Sequence, residues 1–142
     1  MEGITKKWEP INFIFYLSLV KWPILVVAII EIVSRLLISR LLEDWSLGRT
    51  DLIMWLIRLV AFIYIGRQIG KAYGEVPPIG ALAGASGGLI LGIIISLFRF
   101  YSGFRVWKIF NLVSETTLMI FIGALTAFLI VYLWELWPKK LK

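Results

Sequence analysis

The sequence predicts an all-α integral membrane protein. It is read as a four-transmembrane-helix bundle with a glycine-zipper third helix and a short amphipathic segment before the fourth. Three observations lead there. The 142 residues are 60% hydrophobic, against about 45–50% in typical soluble domains, and a soluble domain of this length could not hide so much apolar surface. Residues 76–98 and 116–134 contain no charged side chain, and runs of about 20 predominantly apolar residues are long enough to cross a bilayer. Glycine also recurs every fourth residue, at Gly66, Gly70 and Gly74 and then at Gly80, Gly84, Gly88 and Gly92. The pattern predicts one membrane domain over residues 1–142, with helices over about 11–42, 52–73, 78–98 and 112–137.

The first segment, 11–42, would be roughly 48 Å long as one helix, longer than a bilayer core of about 30 Å. Two readings compete. Either residues 12–33 span, with Lys21 near mid-membrane and a bend at Pro23, or "KWP" marks the interface and residues 8–20 lie along the surface. The first is preferred because "INFIFYLSLV" has almost no polar face to present to water. The basic start and the apolar run after it also fit a signal peptide. The run continues past Lys21 without a clear cleavage site, so it is expected to remain as the first membrane helix. The stretch "EIVSRLLISRLLED" then leaves the membrane as an amphipathic extension, with Glu31, Arg35 and Ser39 at helical spacing.

"WSLGRTD" is the first break. Gly48 suits a helix end, and Thr50 or Asp51 suits an N-cap. The second segment, 52–73, carries Arg58 in its apolar body and Arg67, Gln68 and Lys71 in its second half. In "GEVPP", Gly74 fits the position past a helix end and Pro78 the start of the next helix. The third segment, 78–98, is about 31 Å long as a helix. "RFYSGFRVWKIFN" follows. It reads as a short interfacial helix with Arg105 and Lys108 on one face, or as an early start of the fourth segment. The fourth, 112–137, ends in a tryptophan belt and three lysines.

The net charge is +6, carried largely by residues that flank the apolar runs. That distribution points to lipid phosphate and away from nucleic acid. Arg99, Arg105, Lys108, Lys139, Lys140 and Lys142 are the expected headgroup contacts, with the lipid bilayer as partner. With four spans, seven basic residues flank the side of the termini and six the other. The positive-inside rule then places both termini in the cytoplasm, in a cytoplasmic-type membrane.

The glycines do not cradle a nucleotide. A dinucleotide fingerprint needs a strand before its helix, and a P-loop needs Gly-Lys followed by Ser or Thr, whereas Ala72 follows Lys71. In an apolar helix, small residues at four-residue spacing leave a flat groove where another backbone can approach. Gly66, Gly70, Gly80, Gly84, Gly88 and Gly92 are the expected packing seam. The partner is either a helix of the same chain or a second copy in a homo-oligomer that could surround a pore.

A charge within the bilayer core costs about 2.5–3.5 kcal/mol on insertion scales, and such residues usually face a partner or a water-filled cavity. Lys21, Glu31, Arg35, Arg58 and Glu115 are the candidates for an intramembrane polar path. Each also has a plainer reading. Glu31 and Arg35 suit a mutual i,i+4 pair, Arg58 could snorkel to the headgroups, and Glu115 could complement the dipole at a helix start. If the fourth helix begins near Phe104 instead, Glu115 lies deeper and could meet Arg58 or Lys21.

Cysteine and histidine are both absent. That removes disulfides, thiolate nucleophiles, Cys or His metal ligands, and any side chain whose ordinary pKa lies near neutrality. No catalytic set, metal or cofactor is expected. The chain reads as a packing, assembly or accessory component of a membrane, and not as an enzyme. The competing reading is a homo-oligomeric ion channel or small-solute transporter.

Overall fold

A computed structural model describes residues 13–41, 47–73, 76–101 and 108–136. They form four helices: α1 (Phe13–Leu41), α2 (Leu47–Tyr73), α3 (Pro77–Tyr101) and α4 (Lys108–Leu136). Each contains a stretch long and apolar enough to cross a membrane, at Tyr16–Leu37, Asp51–Tyr73, Pro77–Phe98 and Leu112–Trp134. At 1.5 Å per residue these stretches are about 33–35 Å long, so one bundle fits one bilayer.

α1 runs unbroken through Pro23. Tyr16 and Val20 are buried ahead of that proline, so this half of α1 packs into the bundle. It does not lie along the membrane surface. α2 begins earlier than expected, which places Gly48 and Asp51 inside the helix. One helical glycine costs only about 1 kcal/mol. Asp51 therefore does not cap the helix, and its carboxylate is used elsewhere. α3 opens at Pro77, one residue ahead of Pro78, where a missing N–H is harmless. The Ile79 amide donates to the Val76 carbonyl at 3.0 Å and closes that turn. α4 begins at Lys108, so Glu115 lies about two turns inside it and not at its start. Gly74 lies outside the described residues; of the segment 99–111 expected as a short amphipathic helix, residues 99–101 close α3 and 108–111 open α4, and 102–107 lie outside the described residues.

The most extensive interface joins α3 and α4. α2 also packs on α4 and α3, and α1 on α3 and α2, while α1 and α4 do not meet among the described residues. The glycines explain the tightness of the first interface. A Cβ on Gly84 would run into the Gly123 carbonyl, and one on Gly88 into the Met119 carbonyl. One on Gly92 would come within 2.7 Å of Thr116 Cα, and one on Gly80 within 2.9 Å of the Ala127 carbonyl oxygen. On α2, Gly66 and Gly70 lie against Ile130 and Trp134 of the same α4. The six glycines thus all face one helix of their own chain. Close backbone approach supplies the dispersion contacts that must drive helix association where lipid is as apolar as the helices themselves.

Val20, Ile24, Phe62, Ile65, Leu91, Ile95 and Val131 fill the centre of the bundle. Leu25, Ile29, Leu56, Phe121 and Leu125 are exposed. An apolar exterior of this kind suits lipid and not water.

Candidate functional site

Only four polar or charged side chains are buried among the described residues: Glu31, Arg58, Ser96 and Thr116. Glu31 and Arg58 are each 1% exposed. Glu31 lies six residues inside the end of its span and Arg58 seven inside the start of its own, or about 9–10 Å from each end. Charges buried among side chains at that depth must be paired.

They are paired with each other. Arg58 Nε donates to Glu31 Oε2 at 2.9 Å, and Arg58 Nη2 donates to Glu31 Oε1. This two-pronged contact between a planar guanidinium and a carboxylate is the strong form of the ion pair. It ties α1 to α2. Glu31 Oε1 also accepts from Arg35 Nε at 3.3 Å and Arg35 Nη2 at 3.2 Å. Arg35 Nη2 donates onward to Asp51 Oδ1 at 2.7 Å. On the other side, Arg58 Nη1 lies 3.9 Å from Glu115 Oε1, which brings in α4. The Arg58 guanidinium carbon sits 5.1 Å from the centre of the Trp55 ring, one turn back along α2. That is within reach of a cation–π contact.

The result is a chain of alternating charge, Asp51–Arg35–Glu31–Arg58–Glu115. Three carboxylates share two guanidiniums. Burial falls off toward one end: the Arg35 side chain is 20% exposed and that of Asp51 47%. The network therefore runs from the core to the membrane edge where α1 ends and α2 begins. Among the described residues, no group of three acidic side chains converges as a metal cage, because the guanidiniums stand between them.

Four of the five candidates for a polar path, Glu31, Arg35, Arg58 and Glu115, thus come together. Lys21 does not join them. It is exposed on the far half of α1, and among the described residues no ion pair places it in the network. Arg58 does not snorkel to the surface, because a buried partner on α1 is closer than the headgroups. Glu115 lies two turns inside α4, which begins at Lys108, and its carboxylate stands 3.9 Å from Arg58 Nη1. Asp51 and Trp55 were missed. Asp51 lies two turns before Arg58 on the same helix, so the i,i+7 spacing was the available signal.

Ser96 and Thr116 add an unusual detail. Their hydroxyls are buried and have no hydrogen-bond partner among the described residues. Thr117 and Ser86, by contrast, donate to the carbonyls of Val113 and Leu82 one turn back, at 2.7 and 2.8 Å. Thr116 adjoins Glu115 in sequence and lies against Gly92. Ser96 is one turn beyond Gly92, at the same end of the bundle as the charges.

Of the expected headgroup contacts, Arg99 and Lys108 are described only as helical backbone, and Arg105, Lys139, Lys140 and Lys142 lie outside the described residues.

The fold and its internal charge network define a class, the small four-span integral membrane protein. No family model matches the chain, and no curated protein or solved structure matches it either.

Proposed function

We propose that this protein is a non-catalytic membrane component that serves packing, assembly or an accessory role, held rigid by an internal ion-pair clamp. The two-pronged Glu31–Arg58 pair carries this reading, because both side chains are almost wholly excluded from the surface. A charge that lines an open aqueous path keeps part of its hydration. These two are satisfied by protein alone. The network carboxylates all contact guanidinium groups, which leaves none poised as a general base. Both termini lie in the cytoplasm in this reading.

A homo-oligomeric ion channel or small-solute transporter is the second reading. Two observations favour it. Three carboxylates share two guanidiniums, and the buried hydroxyls of Ser96 and Thr116, at the same end of the bundle, have no partner among the described residues. Such an arrangement suits a relay for protons or small cations. Purified protein of measured oligomeric mass, reconstituted in liposomes, separates the two readings. A monomer that passes neither protons nor any of a broad panel of ions and solutes supports the first. Flux that Glu31→Gln or Glu115→Gln abolishes, with the fold intact by circular dichroism, overturns it in favour of the second.

A further inference from the structure

A groove of about 560 Å³ opens between α1 and α2 on the outside of the bundle. Its walls are apolar, with Val26 and Ile30 on α1 and Val60 and Ala61 on α2. Pro23 and Ala61 project little side chain into it, so the two helices leave space there. Val60 is 64% exposed and Val26 50%, so the groove opens sideways, toward the bilayer. It lies within the depth of both spans.

One end of the groove is polar. Tyr64 and Gln68 line it, and Gln68 Nε2 donates to the Tyr64 hydroxyl at 2.7 Å. Arg67 and Lys71 continue the same stripe of α2, three residues after Tyr64 and three after Gln68. Both are exposed, and no ion pair engages either among the described residues. Residues 59–73 contain no Asp or Glu. Lys71 stands two residues from the end of its span, which is headgroup depth. Trp22 lines the groove from α1 and is 67% exposed, so its ring is open to the acyl chains.

We propose that this groove is a binding site for an anionic phospholipid. One acyl chain lies along Val26, Ile30, Val60 and Ala61, and Arg67, Lys71 and Gln68 hold the phosphate. Two features select this occupant. An apolar trough open to the bilayer is filled by a hydrocarbon chain, and basic pockets between membrane helices at headgroup depth select anionic headgroups.

The test uses the full chain in bilayers containing brominated phosphatidylglycerol or brominated phosphatidylcholine, since bromine on an acyl chain quenches nearby tryptophan. The Trp22 signal is the difference between the wild type and Trp22→Phe. Phosphatidylglycerol is expected to compete for the Trp22 site about thirtyfold better than phosphatidylcholine, in line with two basic side chains at the headgroup. Arg67→Gln with Lys71→Gln should bring that ratio to about one while quenching by either lipid persists. Val60→Trp, which fills the groove from its lipid side, should remove the preference although both cations remain. Thermal unfolding of each variant checks that the bundle is intact. Equal quenching by both lipids in the wild type overturns the proposal. So does a preference that survives Val60→Trp, which would mean headgroup attraction without a seated chain. Protection of Trp22 from both lipids in a dimer would assign the groove to a second copy, and overturns it too.

Discussion

Arg58 on α2 holds both carboxylate oxygens of Glu31 on α1, and neither side chain reaches the surface of the bundle. Either residue alone would leave a buried charge among the apolar side chains of four helices. The pair removes that cost only when α1 and α2 are in register. It therefore acts as a register lock as much as a source of stability, a role for which buried polar groups are best attested.

Removal of either partner should be strongly destabilising. Arg58→Leu or Glu31→Leu alone is expected to cost about 3–5 kcal/mol, the range for a buried pair broken on one side. The double variant should cost clearly less than the sum, with a coupling of about 0.5–3 kcal/mol. Denaturant unfolding in detergent measures all three. Additive losses would show that the two side chains do not act as a unit.

The outer end of the network should matter little. Asp51 is half-exposed where it meets Arg35, and exposed pairs contribute about 0–1 kcal/mol. Asp51→Asn should lower stability within that range, and the loss should shrink in high salt as screening sets in. The Glu31–Arg58 pair should be nearly indifferent to salt, because it is shielded from solvent ions.

Among the glycines, Gly84 and Gly70 should respond differently to a single methyl. At Gly84 the new Cβ meets backbone, the carbonyl of Gly123. At Gly70 it meets Cγ of Trp134 at 3.1 Å, and a side chain can shift by a few tenths of an ångström. Gly84→Ala should cost about 1–3 kcal/mol by overpacking. Gly70→Ala should be close to neutral, since alanine recovers up to about 1 kcal/mol of helix propensity. Thermal unfolding of the two variants side by side tests the contrast. Equal melting temperatures would show that α3 and α4 are not in backbone contact at Gly84.

Trp55 stacks on the Arg58 guanidinium. Trp55→Leu should keep the helix and most of the apolar area but lose the cation–π term, about 0.5–2 kcal/mol. Trp55→Phe should retain part of it. Chemical denaturation of both variants gives the comparison, and identical stabilities would remove the ring from the account of Arg58.

Most of the architecture was legible in the chain itself. Charge-free runs such as 76–98 and 116–134 leave a bilayer-spanning helix as the only cheap way to satisfy their backbone. Helix ends were less legible. Gly48 and Asp51 carry local end signals, yet α2 starts before both, because one glycine costs a helix only about 1 kcal/mol. The pairing of the charges was only half visible. Glu31 and Arg35 are neighbours along one helix, so spacing alone suggested their contact. Arg58 is 27 positions from Glu31, and no local rule links residues so far apart.

The sequence by itself thus determined four spans, the positions of the glycines and which charges enter the membrane. Each of those follows from hydropathy and period along one chain direction. The tertiary structure alone decided that all six glycines face α4, that Arg58 turns inward to Glu31 and Glu115, and that Lys21 stays outside. These outcomes depend on which helices become neighbours and at what rotation. That is settled by the joint fit of backbone against backbone and charge against charge, a property of the assembled bundle that no single segment carries.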